Sequence, residues 1–133
     1  MSDVSKTEVN PGTSLTALLF RFPFPGPWGR ELTEASHALA SDIANEGGLV
    51  WKIWLEDHET RHAGGFYLFE DRSAAERYRE KHERRLSAMG LTGVAVSTFS
   101  VNTELSALTM AGASLGQIGG SKSSSKPAVA ASS

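Results

Sequence analysis

Residues 15–22 read Leu-Thr-Ala-Leu-Leu-Phe-Arg-Phe, an apolar run of strand length closed by Pro23-Phe24-Pro25-Gly26-Pro27. Both alternating sets within it are apolar: Leu15, Ala17 and Leu19 fall on one face, Leu18, Phe20 and Phe22 on the other. A run at about residues 93–101 behaves the same way, with Val94 and Val96 opposed to Ala95, Phe99 and Val101. A strand in a sheet with one solvated face shows polar residues at every second position. These strands therefore need cover on both sides. Helices supply one cover, and a second copy of the sheet is the economical source of the other. The expected assembly is a homodimer.

Between these strands the punctuation is regular. Trp28, Leu32, Ala35, Leu39 and Ile43 recur at helical spacing, which predicts one helix from Trp28 to Glu46, stopped by Gly47-Gly48. Residues 49–56, Leu-Val-Trp-Lys-Ile-Trp-Leu-Glu, make a second strand. A charged loop from Asp57 to His62 leads to a third at about 63–70, entered through Gly64-Gly65. Asp71 and Ser73, with Glu76 three residues beyond Ser73, form a helix-start signal of the capping-box kind. That helix runs to about Met89 and ends at Gly90, and a short amphipathic piece, Thr103 to Met110, follows the fourth strand. The order is βαββαβ, an α+β, ferredoxin-like arrangement.

The 133 residues fit one domain. Residues 1–13 read as a flexible N-terminal arm, residues 14–111 as the folded domain, and residues 112–133, rich in Gly, Ser and Ala, as a disordered tail. The net charge of −2 gives no pull toward nucleic acid or anionic membrane. No apolar run approaches the ~18 residues of a membrane span, so a cytoplasmic protein is expected. With no cysteine, disulfides, thiolate nucleophiles and Cys-type metal sites are excluded.

Four segments carry a family likeness: Gly26-Pro27-Trp28-Gly29, Leu49-Val50-Trp51-Lys52-Ile53-Trp54, Ala63-Gly64-Gly65-Phe66-Tyr67-Leu68-Phe69 and Tyr78-Arg79-Glu80-Lys81-His82. With these motifs in order over about residues 15–108, the chain resembles the YdhR-like monooxygenases. They belong to the dimeric α/β-barrel superfamily, alongside the antibiotic-biosynthesis monooxygenases. The resemblance implies two four-stranded sheets facing each other, helices outside, and a ligand pocket in each subunit between helices and sheet.

His82 is the leading candidate for chemistry. At about 100° per residue, Ala75, Tyr78, Leu86 and Met89 all fall within about 40° of it, so it lies in the apolar stripe of its helix. It is either a buried neutral histidine or a proton carrier in a pocket. Arg85, at the stripe's edge, is either solvated or a partner for an anionic phenolate or carboxylate. Trp51 and Trp54 point to opposite faces of strand two because their spacing is odd. One packs under the helices and the other at the dimer seam. Lys52 shares a face with Trp54 and Glu56, where an unpaired lysine is costly to bury; an ion pair across the seam is favoured over a pocket role. Tyr67 and Tyr78 are further candidates for gripping a substrate.

Other motifs carry less. Gly112-Ala113-Ser114-Leu115-Gly116 satisfies G-x-S-x-G but follows no strand, so a nucleophile elbow is rejected. His58 and His62 lie on a hairpin loop where their spacing does not bring side chains together, and no metal site is expected. Glu80 and Arg84 are placed for a helical ion pair.

With no dinucleotide fingerprint, phosphate loop or thiolate ligand, an oxygenase of this sequence has to use the substrate's own electrons on dioxygen. No cofactor is expected. The expected activity is a cofactor-independent monooxygenase of a small phenol- or quinol-type aromatic, with His82 as proton carrier and Trp51, Trp54, Tyr67, Tyr78 and Arg85 binding substrate. The alternatives are an isomerase, cyclase or lyase in the same pocket, and a non-catalytic dimer that binds an aromatic metabolite.

Overall fold

The computed structural model describes residues 14–110. The expected arm at 1–13, tail at 112–133 and G-x-S-x-G pattern lie outside them. The elements follow the order β1 (Thr16–Pro23), α1 (Gly29–Ala35), α2 (His37–Ala44), β2 (Leu49–Asp57), β3 (His62–Phe69), α3 (Arg72–Ala88), β4 (Ala95–Ser100) and α4 (Thr103–Thr109). The four strands pair antiparallel throughout in the order β2-β3-β1-β4. This is the ferredoxin-like topology expected from the pattern.

Register divides the sheet into two faces. Leu18 lies opposite Tyr67, and Phe20 opposite Gly65 and Val96. Lys52 and Trp54 extend this face across β2, opposite Tyr67 and Gly65. Alternation in β2 is broken once, by a shift between Leu49 and Trp51. The extra residue lets Leu49 pack on the core while Trp51 turns to the other face, beside Phe66.

Only α3 seals the helical face tightly. Its apolar stripe, Ala74, Ala75, Tyr78, His82 and Leu86, is buried on Leu18, Phe20, Tyr67 and Phe69. Polar side chains fasten its flanks. Arg79 Nη1 donates to Thr98 Oγ1 at 3.2 Å, Arg72 Nη2 to Ser100 Oγ at 3.3 Å, and Lys81 Nζ pairs with Glu46 Oε1 at 2.7 Å. The ion pairs along α3 join Arg72 to Glu76 and Arg79 to Glu83 instead of the expected Glu80 and Arg84.

The helix start differs in detail from the expected capping box. Asp71 is the N-cap and accepts from Ala74 N at 2.8 Å, while Ser73 already lies inside the helix. Glu76 is turned toward Arg72 instead of reaching back to the cap.

The single helix expected from Trp28 to Glu46 is two short ones, bent at Ser36 (φ −102°, ψ 6°). Ser36 N still bonds Leu32 O and Ala40 N still bonds Ser36 O, so the chain bends without losing its helical course. Serine has little helix preference to oppose such a bend. Buried residues are absent from α1, and Ile43 alone is buried in α2. This half of the helical layer therefore lies loosely over the sheet.

The opposite face is bare toward its edges, although Ala17 and Leu68 at its centre are buried. Ile53, Leu55 and Phe99 are 44%, 40% and 52% exposed, and on α4 Leu105 and Leu108 are 61% and 76% exposed. Among the described residues no helix is long and apolar enough to cross a membrane.

The cap on α3 gives a direct test of the fold. Asp71→Ala is expected to cost ~1 kcal/mol in urea unfolding, the usual loss when a capping side chain is removed. Ser73→Ala, one residue inside the helix, is expected to be close to neutral.

Candidate functional site

The loose half of the helical layer leaves a cleft, open to solvent on one side, between α1, α2, the end of α3 and the sheet. Its walls are apolar, with Phe22 and Phe24 from β1 and its following loop, Leu32 and Leu39 from the bent helices, and Leu86 from α3. Three groups of different chemistry reach it from three elements: Lys52 on β2, Tyr67 on β3 and His82 on α3. Trp54, two residues from Lys52 on the same face, completes the aromatic wall.

Lys52 lies over the rings. Its Nζ is 3.4 Å from the Trp54 centroid and 4.7 Å from that of Tyr67. Gly65 makes room for the lysine stem, since a Cβ built there would stand 2.6 Å from Lys52 Cε. Its neighbour Gly64 has a different reason, because a Cβ there would collide with the carbonyl of Phe20. Burial, reinforced by the charge of Arg85, lowers the Lys52 ammonium from 10.5 to about 7.

His82 is 3% exposed, with its ring stacked on Tyr78 at 5.0 Å and edge-on to Phe20 at 5.1 Å. Arg85 Nε donates to His82 Nδ1 at 3.2 Å, and Arg85 Nη1 donates to Asp42 Oδ2 at 3.0 Å. An acceptor at Nδ1 puts the imidazole proton on Nε2. Burial, with Lys52 and then Arg85 as positive neighbours, pushes the imidazole down to about 3. Tyr78 donates to the Tyr67 hydroxyl at 3.1 Å. Burial holds Tyr67 far above the ordinary phenol range and pushes Tyr78 up to about 12.

Of the residues expected from the sequence, His82, Trp54 and Tyr67 come together at the cleft. Trp51 does not. The irregularity in β2 sends it to the bare face, where it lines a groove with Phe66, Phe99 and Met110. Tyr78 is fully buried behind Tyr67 and holds it in place. Arg85 is not a solvated surface residue: its Nε and Nη1 donate to His82 and Asp42, and its Nη2 is buried with no hydrogen-bond partner among the described residues. His82 itself departs from the expected proton carrier: a donor already occupies Nδ1, and the ring remains neutral through the physiological range.

Lys52, read as half of an ion pair, is instead a cleft residue. The sequence signal was its i, i+2 spacing from Trp54. On the hairpin side, His58 stacks on Trp28 at 5.1 Å and His62 Nδ1 lies 2.9 Å from Thr60 O.

The family model "Putative mono-oxygenase ydhR" matches residues 17–112, a span that contains every residue of the cleft. The chain belongs to the YdhR family. No curated protein sequence matches it. Two solved structures share the YdhR fold with it at a TM-score of 0.50. One is a point mutant of SnoaB, a cofactor-independent oxygenase from Streptomyces nogalater, 19% identical over 67% of this chain and 94% of that one. The other is protein SO0527 from Shewanella oneidensis, 16% identical over 67% of this chain and 92% of that one.

For this YdhR-family chain the titrations have a definite sign. An unfolded histidine takes up a proton below about 6.5, whereas folded His82 resists until about 3. The unfolded state therefore binds the extra proton in that window, and stability falls as pH is lowered through it. The thermal midpoint is expected to drop from about pH 6.5 downward, and His82→Gln to flatten that slope. Imidazole ¹⁵N shifts are expected to show Nε2–H at His82 and no protonation down to about pH 5.

Proposed function

We propose that the chain is a cofactor-independent monooxygenase of small phenol- or quinol-type aromatics, acting as a homodimer. The observation that carries this reading is the cleft, where an apolar, aromatic-walled space meets a few polar side chains, Lys52, Tyr67, His82 and Ser36 among them. Such a site binds a flat apolar ring and addresses one polar substituent. The family match and the shared fold of a cofactor-independent oxygenase support the chemistry.

In the overall reaction a phenol with a para C–H and dioxygen give a quinone and water. The substrate supplies all the electrons, and one oxygen atom stays in the product. The protein's share is to orient the ring, help remove the phenolic proton and keep water away. His82 contributes as a fixed donor. With Nδ1 held by Arg85, its Nε2–H is available to a phenolate oxygen, and Asp42 holds Arg85 in turn. Trp54 supplies a ring face for stacking.

The bare sheet face supports the dimer. Ile53, Leu55 and Phe99, with the groove beneath α4, form an apolar patch of the kind that monomers rarely leave in water. A second copy of the same face is self-complementary under two-fold symmetry.

Oxygen uptake with 1-naphthol and anthrone, followed by mass spectrometry of products formed under ¹⁸O₂, tests the activity. One ¹⁸O atom per quinone is expected. Saturable binding with no oxygen uptake across the panel would sink the oxygenase reading in favour of a binding protein. Trp54→Ala is expected to raise KM about tenfold with folding intact, since a stacked ring contributes ~0.5–1.5 kcal/mol beyond its area. Sedimentation at micromolar concentration is expected to show a dimer, and Ile53→Asp to disrupt it. A stable folded wild-type monomer would contradict the assembly.

A further inference from the structure

We propose that Lys52 is the proton acceptor of the cleft: its amine takes the proton of a bound phenol and then holds the phenolate as an ion pair. This rests on the reading of the cleft as a phenol site and assigns the residue that does the deprotonation there.

Position comes first. Strand β2 delivers Lys52 to the helical face two residues from Trp54, and the absent side chain of Gly65 lets the lysine stem fold across β3. The nitrogen rests against two ring faces, Trp54 at 3.4 Å and Tyr67 at 4.7 Å. Ring faces attract an ammonium and also tolerate a neutral amine as an N–H donor. The perch therefore serves both charge states.

Charge comes second. Among the described residues no carboxylate pairs with Lys52, and the neighbouring ones are engaged elsewhere. Glu46 pairs with Lys81 at 2.7 Å, Asp42 with Arg85 at 3.0 Å, and Glu56 accepts from Gly29 N at 2.9 Å. The groups that act on Lys52 from α3 are Arg85, which is cationic, and His82, which is neutral; from β3 it meets the phenol of Tyr67. Every one of these is positive or neutral. These surroundings disfavour the ammonium, in line with the fall to about 7, and an anion placed beside it reverses that preference.

Elimination comes third. His82 is a poor acceptor because Nδ1 already takes the Arg85 hydrogen bond and Nε2 already bears its proton. Tyr67 keeps its own proton, held there by burial, and accepts from Tyr78. Among the described residues that line the cleft, Lys52 alone offers a nitrogen lone pair near neutral pH. The step is simple: the substrate O–H bond breaks, its electron pair stays on oxygen, and an N–H bond forms at Nζ. His82 Nε2–H then donates to the same oxygen.

4-Nitrophenol is a suitable probe, since its phenolate is yellow and its phenol is not. Bound to the wild type at about pH 6, it is expected to be yellow, with its ionisation midpoint more than one pH unit below that in Lys52→Met, roughly a tenfold difference in the ionised fraction. Lys52→Gln serves if the methionine variant does not fold. His82→Gln is expected to weaken binding while the bound probe stays yellow. Trace labelling of the wild type with acetic anhydride reads the amine without any variant, and Lys52 reactivity is expected to rise with a midpoint near neutrality. A labelling midpoint at the alkaline value of free lysine, or a probe equally ionised in the Lys52 variants, overturns the assignment of Lys52. If Lys52 labels near neutrality but the wild type binds neither 4-nitrophenol nor 1-naphthol, the phenol-site reading fails instead, and the role assigned to Lys52 falls with it.

Discussion

The contact between α3 and the centre of the sheet holds the rest of the molecule in place. Tyr78 and His82 stack on one another and wedge against Phe20 and Tyr67, with a hydroxyl-to-hydroxyl bond closing the stack. Aromatic pairs at these separations favour offset and edge-on geometries, which fix orientation as well as depth. Because one helix does the sealing, the other two need not pack closely, and the cleft opens under them. Arg85, three residues further along the same helix and held by Asp42 on α2, donates to His82 Nδ1 and so sets the tautomer of the histidine.

Much of this was legible in the residues. Strand order, the ferredoxin-like arrangement and the buried stripe of α3 all followed from periodicities of two and of about 3.6 residues. The stripe placed His82 inward, and it is inward. The bend at Ser36 was not legible, because Leu32 and Leu39 keep helical spacing on either side of it and periodicity is blind to a change of axis. The side chosen by Trp51 was not legible either. One extra residue in β2 decides it, and no Gly or Pro marks that place.

The polar side chains were harder still. Whether Arg85 is solvated or committed depends on Asp42, which is distant in sequence and on another helix. Lys52 was recognised as costly to bury, and the natural remedy was a carboxylate. The structure meets the cost differently, with two aromatic faces and a lowered proton affinity. Composition cannot distinguish these remedies, because both place a lysine in an apolar strand. What separates them is whether the nearby carboxylates are free, and that is a property of the assembled layers.

Gly65 ties two positions of the chain into one mutational unit. A larger side chain there takes the volume now filled by the Lys52 stem, so in any lineage a change at residue 65 demands a shorter or redirected residue 52. The reverse is freer, since losing the lysine leaves space that a glycine does not need. Losing the lysine does not by itself free position 65, because the same Cβ would also stand 3.0 Å from Tyr67 Cε1. Gly65, paired with Trp54 on one side and Phe20 on the other, is thus held to glycine by the Tyr67 ring even where residue 52 is short.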